Sequence, residues 1–97
     1  MATYSALGRY TQQGIQNIRE GPARTKAAQK NAQVLGAEFK AFYIVMGQYD
    51  FVTIIEAPDD ETAAKFALVT AAEGNVRIET LRAFTEDEYG EIVASLP

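Results

Sequence analysis

Two apolar runs on either side of a short polar break limit this chain more than any other stretch. Tyr43-Ile44-Val45-Met46 and Phe51-Val52-Thr53-Ile54-Ile55 are rich in β-branched and aromatic residues, and Gly47-Gln48-Tyr49-Asp50 separates them. This pattern predicts a β-hairpin whose Gly47 supplies a positive φ and whose Asp50 bonds to nearby backbone. The flanking strands are read over residues 38–46 and 50–57. Strict alternation puts Phe42, Ile44 and Met46 on one face of the first, and Phe39, Ala41, Tyr43 and Val45 on the other. In the second, Phe51, Thr53, Ile55 and Ala57 oppose Val52, Ile54 and Glu56. Both strands thus carry apolar side chains on both faces, unlike a hairpin with one face in water. Each face needs a cover.

The rest of the chain supplies one cover. Residues 3–10 read as a strand, with Tyr4, Ala6, Gly8 and Tyr10 opposing Thr3, Ser5, Leu7 and Arg9. Thr11 is an N-cap candidate for a short helix over about 11–19 carrying Ile15 and Ile18. Glu20-Gly21-Pro22 interrupts it, and a longer helix is expected over about 22–35, capped by Gly36. Helical spacing turns Ala23, Ala27, Asn31 and Val34 toward the sheet and leaves Arg24, Lys26 and Lys30 on a solvated outer face. Pro58-Asp59-Asp60-Glu61 stops the third strand and opens a helix whose inner stripe is Ala63, Phe66, Ala67 and Ala71. Gly74-Asn75 turns the chain into a fourth strand over 76–84. Thr85-Glu86-Asp87-Glu88 is a capping box that starts a final helix lined by Tyr89, Ile92, Val93 and Leu96.

Strand, helix, strand, hairpin, strand, helix, strand is a split βαβ arrangement, and right-handed crossovers put the first and third strands at its centre. The expected fold is α+β, ferredoxin-like βαββαβ with an added C-terminal helix, and residues 1–97 are read as one domain. Two helices cover one sheet face; the chain has too little left for the other. Another copy of the same sheet is the expected second cover.

Composition narrows the chemistry. The chain has neither cysteine nor histidine, which removes disulfides, thiolate nucleophiles, Cys-ligated zinc and the commonest general base and haem ligand. No loop has the ligand spacing of a magnesium or calcium site, so no metal and no cofactor are expected. A net charge of −4 without a basic cluster argues against nucleic acid or anionic membrane as partner. The first residues lack a basic-then-apolar leader and no run approaches a membrane span, so a cytoplasmic protein is expected.

The residues also resemble a family. The Gly47-Gln48-Tyr49-Asp50 turn, with Tyr10-Thr11-Gln12-Gln13-Gly14-Ile15, Glu56-Ala57-Pro58-Asp59-Asp60 and Gly74-Asn75-Val76-Arg77-Ile78-Glu79-Thr80-Leu81-Arg82-Ala83-Phe84, is similar to the small bacterial proteins of the GYD-domain family. That resemblance implies the dimeric α+β-barrel group, in which two ferredoxin-like sheets pack face to face. It supplies no function. Relatives in the wider group include cofactor-free monooxygenases, isomerases, haem proteins and ligand-binding domains, and their histidine-dependent chemistries do not transfer here.

The candidate ligand-binding residues are Tyr49, Asp50, Arg82 and Tyr43. Tyr49 and Asp50 could bind a polar ligand or act as an acid–base pair, or Asp50 could simply hold the turn. Arg82, on an apolar strand face, must reach solvent or be paired, with an anionic ligand or with a carboxylate such as Asp50 or one from the partner subunit. Tyr4, Tyr10 and Tyr43 fall in one alternation class and would line either a helix–sheet pocket or a dimer interface. Arg77 and Glu79 are read as an exposed or inter-subunit pair. The expected function is a homo-oligomeric module that associates through its sheet and binds a small molecule. The alternative is a cofactor-free monooxygenase or isomerase acting on a small aromatic or polyketide-like substrate, with Tyr49, Asp50 and Arg82 converging on one cavity.

Overall fold

A computed structural model describes all residues from Met1 to Pro97. The chain runs β1 (Ala2–Tyr10), α1 (Gln12–Gln16), a 3-10 turn (Ile18–Glu20), α2 (Gly21–Val34), β2 (Glu38–Ile44), β3 (Phe51–Ala57), α3 (Asp60–Ala71), β4 (Val76–Ala83) and α4 (Glu86–Ala94). The sheet is antiparallel throughout, in the order β2-β3-β1-β4. This is the expected ferredoxin-like arrangement, with β1 and β3 central and α4 added. No helix is long and apolar enough to cross a membrane.

The core lies on one side of the sheet. Tyr4, Ala6, Phe51, Thr53, Ile55, Ala57 and Val76 are buried there, and Ala32, Ala63 and Phe66 cover them from α2 and α3. Only 13 of 97 residues are buried, so the core is thin. The shortest dimension is 17 Å, the thickness of one sheet and one helix layer. Leu7, Val52 and Ile54, on the other face, stay half-buried, and Leu81 and Tyr43 beside them are exposed.

Three expectations need correction. The strict alternation of β2 fails because a β-bulge shifts the register between Phe39 and Ala41. The extra residue brings Phe39 and Phe42 onto the same face, where Phe42 stacks between Phe39 and Phe51 at centroid distances of 6.5 and 5.5 Å. Tyr43 accordingly lies on the open face opposite Val52, not in a pocket with Tyr4 and Tyr10.

The second correction concerns α2. Arg24 is turned inward, and its guanidinium donates to the carbonyls of Asn17 (3.0 Å) and Gly14 (3.2 Å). That grip at the end of α1 sets the rotation of the helix. Ala28, Ala32 and Leu35 then pack against the core while Val34 and Ala27 face solvent.

The third concerns the hairpin, which is wider than a four-residue break. β2 ends at Ile44, and one further bond, from the Val45 N–H to the Asp50 carbonyl, closes the loop. Gly47 has the expected positive φ, 133°.

Two glycines mark close approaches. A Cβ on Gly8 would overlap Cζ of Phe51, so the ring fills the side-chain space of β1. A Cβ on Gly14 would overlap the Asn75 carbonyl oxygen. Gly8→Ala should cost about 1–3 kcal/mol in urea unfolding, because the ring must move. Gly14→Ala should cost more, since backbone yields less readily than a side chain. Equal, negligible losses would mean neither contact is tight.

Candidate functional site

The turn residues do two different jobs. Asp50 points back across the sheet: its Oδ2 accepts from the Tyr10 N–H at 2.9 Å, and its own N–H donates to the Gly8 carbonyl at 2.8 Å. The hairpin is thereby clasped to the end of β1. Tyr49 turns onto the open sheet face, where its hydroxyl donates to Oε2 of Glu79 at 2.9 Å. That hydrogen bond, with the nearby Glu79 charge, raises the phenol pKa above its usual value. The Arg9 guanidinium lies 4.7 Å from the Tyr49 ring centre, and its Nε donates to the Gln48 carbonyl at 2.7 Å. Arg9 stands directly opposite Arg77 in the ladder, and Arg77 forms no salt bridge in the chain. Glu79 is thus tied to Tyr49 rather than to Arg77.

Arg82 lies elsewhere. It sits on the helix-covered side near the far end of β4, exposed, 4.4 Å from the Phe84 ring centre and 5.6 Å from that of Tyr4. It donates to the carbonyls of Thr3 (3.3 Å) and Ala83. Asp50 is at the opposite end of the sheet, so the two form no pair. Solvent access and carbonyl acceptors relieve the cost that a buried arginine would carry.

Tyr49, Asp50, Arg82 and Tyr43 therefore do not converge. The cavity between sheet and helices, lined among others by Tyr10, Asn31, Phe42, Thr53 and Phe66, includes none of the four. Its volume is about 60 Å³, against the roughly 300 Å³ of a small-molecule site. No group of three or more Asp or Glu side chains is arranged to hold a metal ion.

Sequence reasoning missed one polar contact here. Tyr4, buried under α3, donates its hydroxyl to Oδ1 of Asp60 at 2.5 Å. The hydrogen bond to Asp60, then burial, raises the phenol pKa above its ordinary value. Asp60 was legible only as a charge favoured in the first turn of α3, and no periodicity links it to a residue 56 positions away.

The open sheet face is left without a cover. It presents Leu7, Val52, Ile54, Ala41, Tyr43, Leu81 and Ala83 between a basic end (Arg9, Arg77) and a corner where Lys40 meets Glu38 (3.4 Å) and Glu56 (4.0 Å).

The model of the GYD domain matches residues 4–93. The chain belongs to the GYD domain family. A bacterial relative from Thermus thermophilus, 36% identical over 84 residues (86% of this chain, 88% of its own), is named a glutamine synthetase and cystathionine beta-lyase binding protein. The crystal structure of TTHA0845, also from Thermus thermophilus, superposes with a TM-score of 0.56 at 25% identity, covering 88% of this chain and 95% of that one. In this GYD domain Asp50 clasps the Gly47–Asp50 turn to β1, and Tyr49 lies on the open sheet face.

Two outcomes test these assignments. Asp50→Ala should lower stability by about 1–2 kcal/mol, since a charged acceptor for the Tyr10 N–H is lost. Tyr4→Phe should cost about 1 kcal/mol at neutral pH. The folded phenol has the raised pKa, so its contribution is intact below about pH 10 and fades as pH climbs through that raised value. The gap between wild type and Tyr4→Phe should therefore narrow in strong alkali, as read from urea midpoints. A gap independent of pH would refute the assignment.

Proposed function

We propose that this GYD domain is a non-catalytic binding module that dimerises through the open face of its sheet and, so assembled, engages an enzyme. One observation carries the reading. A four-stranded sheet with apolar side chains on both faces has helices on only one, and Leu7, Val52, Ile54, Tyr43 and Leu81 are left facing solvent. A second copy offers the same apolar surface, which suits an isologous two-fold contact. Tyr49 and Tyr43 are then interface residues, an aromatic contribution of the kind such contacts favour. Membership of the family and the name of the Thermus relative support a protein partner over a substrate. We assign the module to the cytoplasm. Small-molecule binding, on this reading, is limited to ligands of a few atoms, because the enclosed space is about 60 Å³.

Sedimentation equilibrium should return about twice the 10.6 kDa chain mass at micromolar concentration. Leu81→Asp should give a folded monomer, because Leu81 is already 45% exposed within the chain. Purified glutamine synthetase, titrated against both proteins, should bind the wild type more tightly. A monomeric wild type ends the dimer reading. Equal binding by the two proteins ends the link between assembly and partner.

A further inference from the structure

The last helix is unfinished business within a single chain. Tyr89, Ile92 and Val93 share one side of α4, Leu96 follows just beyond its end, and all four are exposed, Tyr89 by 64% and Leu96 by 63%. α4 packs substantially on no other helix or strand. The chain measures 51 Å in its longest direction, and its radius of gyration is 14.5 Å against roughly 12.5 Å for a compact chain of this length. An open groove runs beside α4, with Phe84 and Ile92 as its apolar part and Glu88, Glu91 and Ser95 as the rest.

The opposite end of the sheet has the matching surface. Met46 at the hairpin is 99% exposed and Ile44 is 65% exposed. Arg9 and Arg77 face each other across the ladder at that end, Glu79 on the same face is bonded to Tyr49, and Arg77 has no salt-bridge partner, so this end can take a further anion. α4 carries Glu86, Asp87, Glu88 and Glu91 and no basic residue. The two surfaces cannot meet within one chain. Ala83, which precedes α4, pairs with Thr3, whereas the hairpin joins β1 at Gly8, about 17 Å along the strand.

We propose that α4 of each protomer docks on the β2–β3 hairpin of a second copy, with the partner's Met46 entering the groove between Phe84 and Ile92. Resting on the sheet-face dimer proposed above, this contact fixes how the two sheets align. α4 and the hairpin sit at diagonal corners of the sheet, so the two-fold runs oblique to the strands, the facing strands cross at an angle, and unlike ends meet. The acidic helix then lies over the partner's Arg9 and the partner's Arg77, and one two-fold axis buries the open face and both α4 stripes. A parallel alignment would bring like ends together, the basic end on the basic end, and leave both helices in water.

The absence of cysteine makes the test clean. Met46→Cys and Ile92→Cys are made in separate full-length chains, both at exposed positions, then mixed and oxidised. A disulfide-linked pair containing one chain of each kind is the expected main product, since a bridge needs Cα atoms within roughly 7 Å. In parallel, Arg77→Glu should weaken dimerisation severalfold, and adding Glu91→Arg should restore it. A dimer by sedimentation that yields no mixed disulfide overturns the docking while leaving the sheet dimer standing. A monomer overturns both. Loss of affinity in Arg77→Glu without recovery in the double variant refutes the charge pairing.

Discussion

Two helices can cover one face of a four-stranded sheet, and in this chain both faces ask for cover. β3 makes the point within seven residues. Phe51, Thr53, Ile55 and Ala57 are buried under α2 and α3, while Val52 and Ile54 alternate with them toward the uncovered side. A strand cannot turn only some of its apolar residues inward, because its period is two. The same period forces Leu7 and Leu81 out with Val52 and Ile54. With so few residues fully buried, the single-chain core leaves little margin, and surface held back from water by a second copy would add to it directly.

Much of this was legible in the sequence because it depends on local rules. The Gly47 turn, the Thr11 and Thr85 caps, the Gly36 helix end and the strand order each follow from residue type at a fixed offset or from crossover handedness. What was not legible depends on long-range contacts. Nothing near Lys40 announces a bulge; the shift puts Phe39 and Phe42 on one face, where Phe42 stacks on both Phe39 and Phe51. The rotation of α2 is likewise set from outside it, by Arg24 reaching the carbonyls of Gly14 and Asn17. An arginine in a helical pattern reads as outer surface until its acceptors are known.

The candidate residues divided in the same way. Asp50 was readable as a turn-holder because an Asp in a hairpin break has a short list of backbone partners. That its partner is Tyr10, forty positions earlier, required the sheet order. Arg82 looked anomalous because an arginine within apolar alternation must be paired or reach solvent, and at the end of an edge strand the side chain does reach solvent over the rings of Tyr4 and Phe84. The long-range polar contact that does exist, from buried Tyr4 to exposed Asp60, had no sequence signal.

The Gly47–Asp50 turn and the last helix belong to one design when the uncovered face is taken as the organising fact. Asp50 fastens the hairpin to β1 and fixes its height above the sheet. Tyr49, held by Glu79 and overlain by Arg9, closes the basic end of the open face with a rigid aromatic surface. α4 lies beyond the other end, acidic and apolar, with a capping box that fixes where it starts. A free-standing helix of nine residues is marginal in water, and Gly90 in its middle weakens it further. A full capping box on a helix that its own chain does not support makes physical sense when the support comes from another copy.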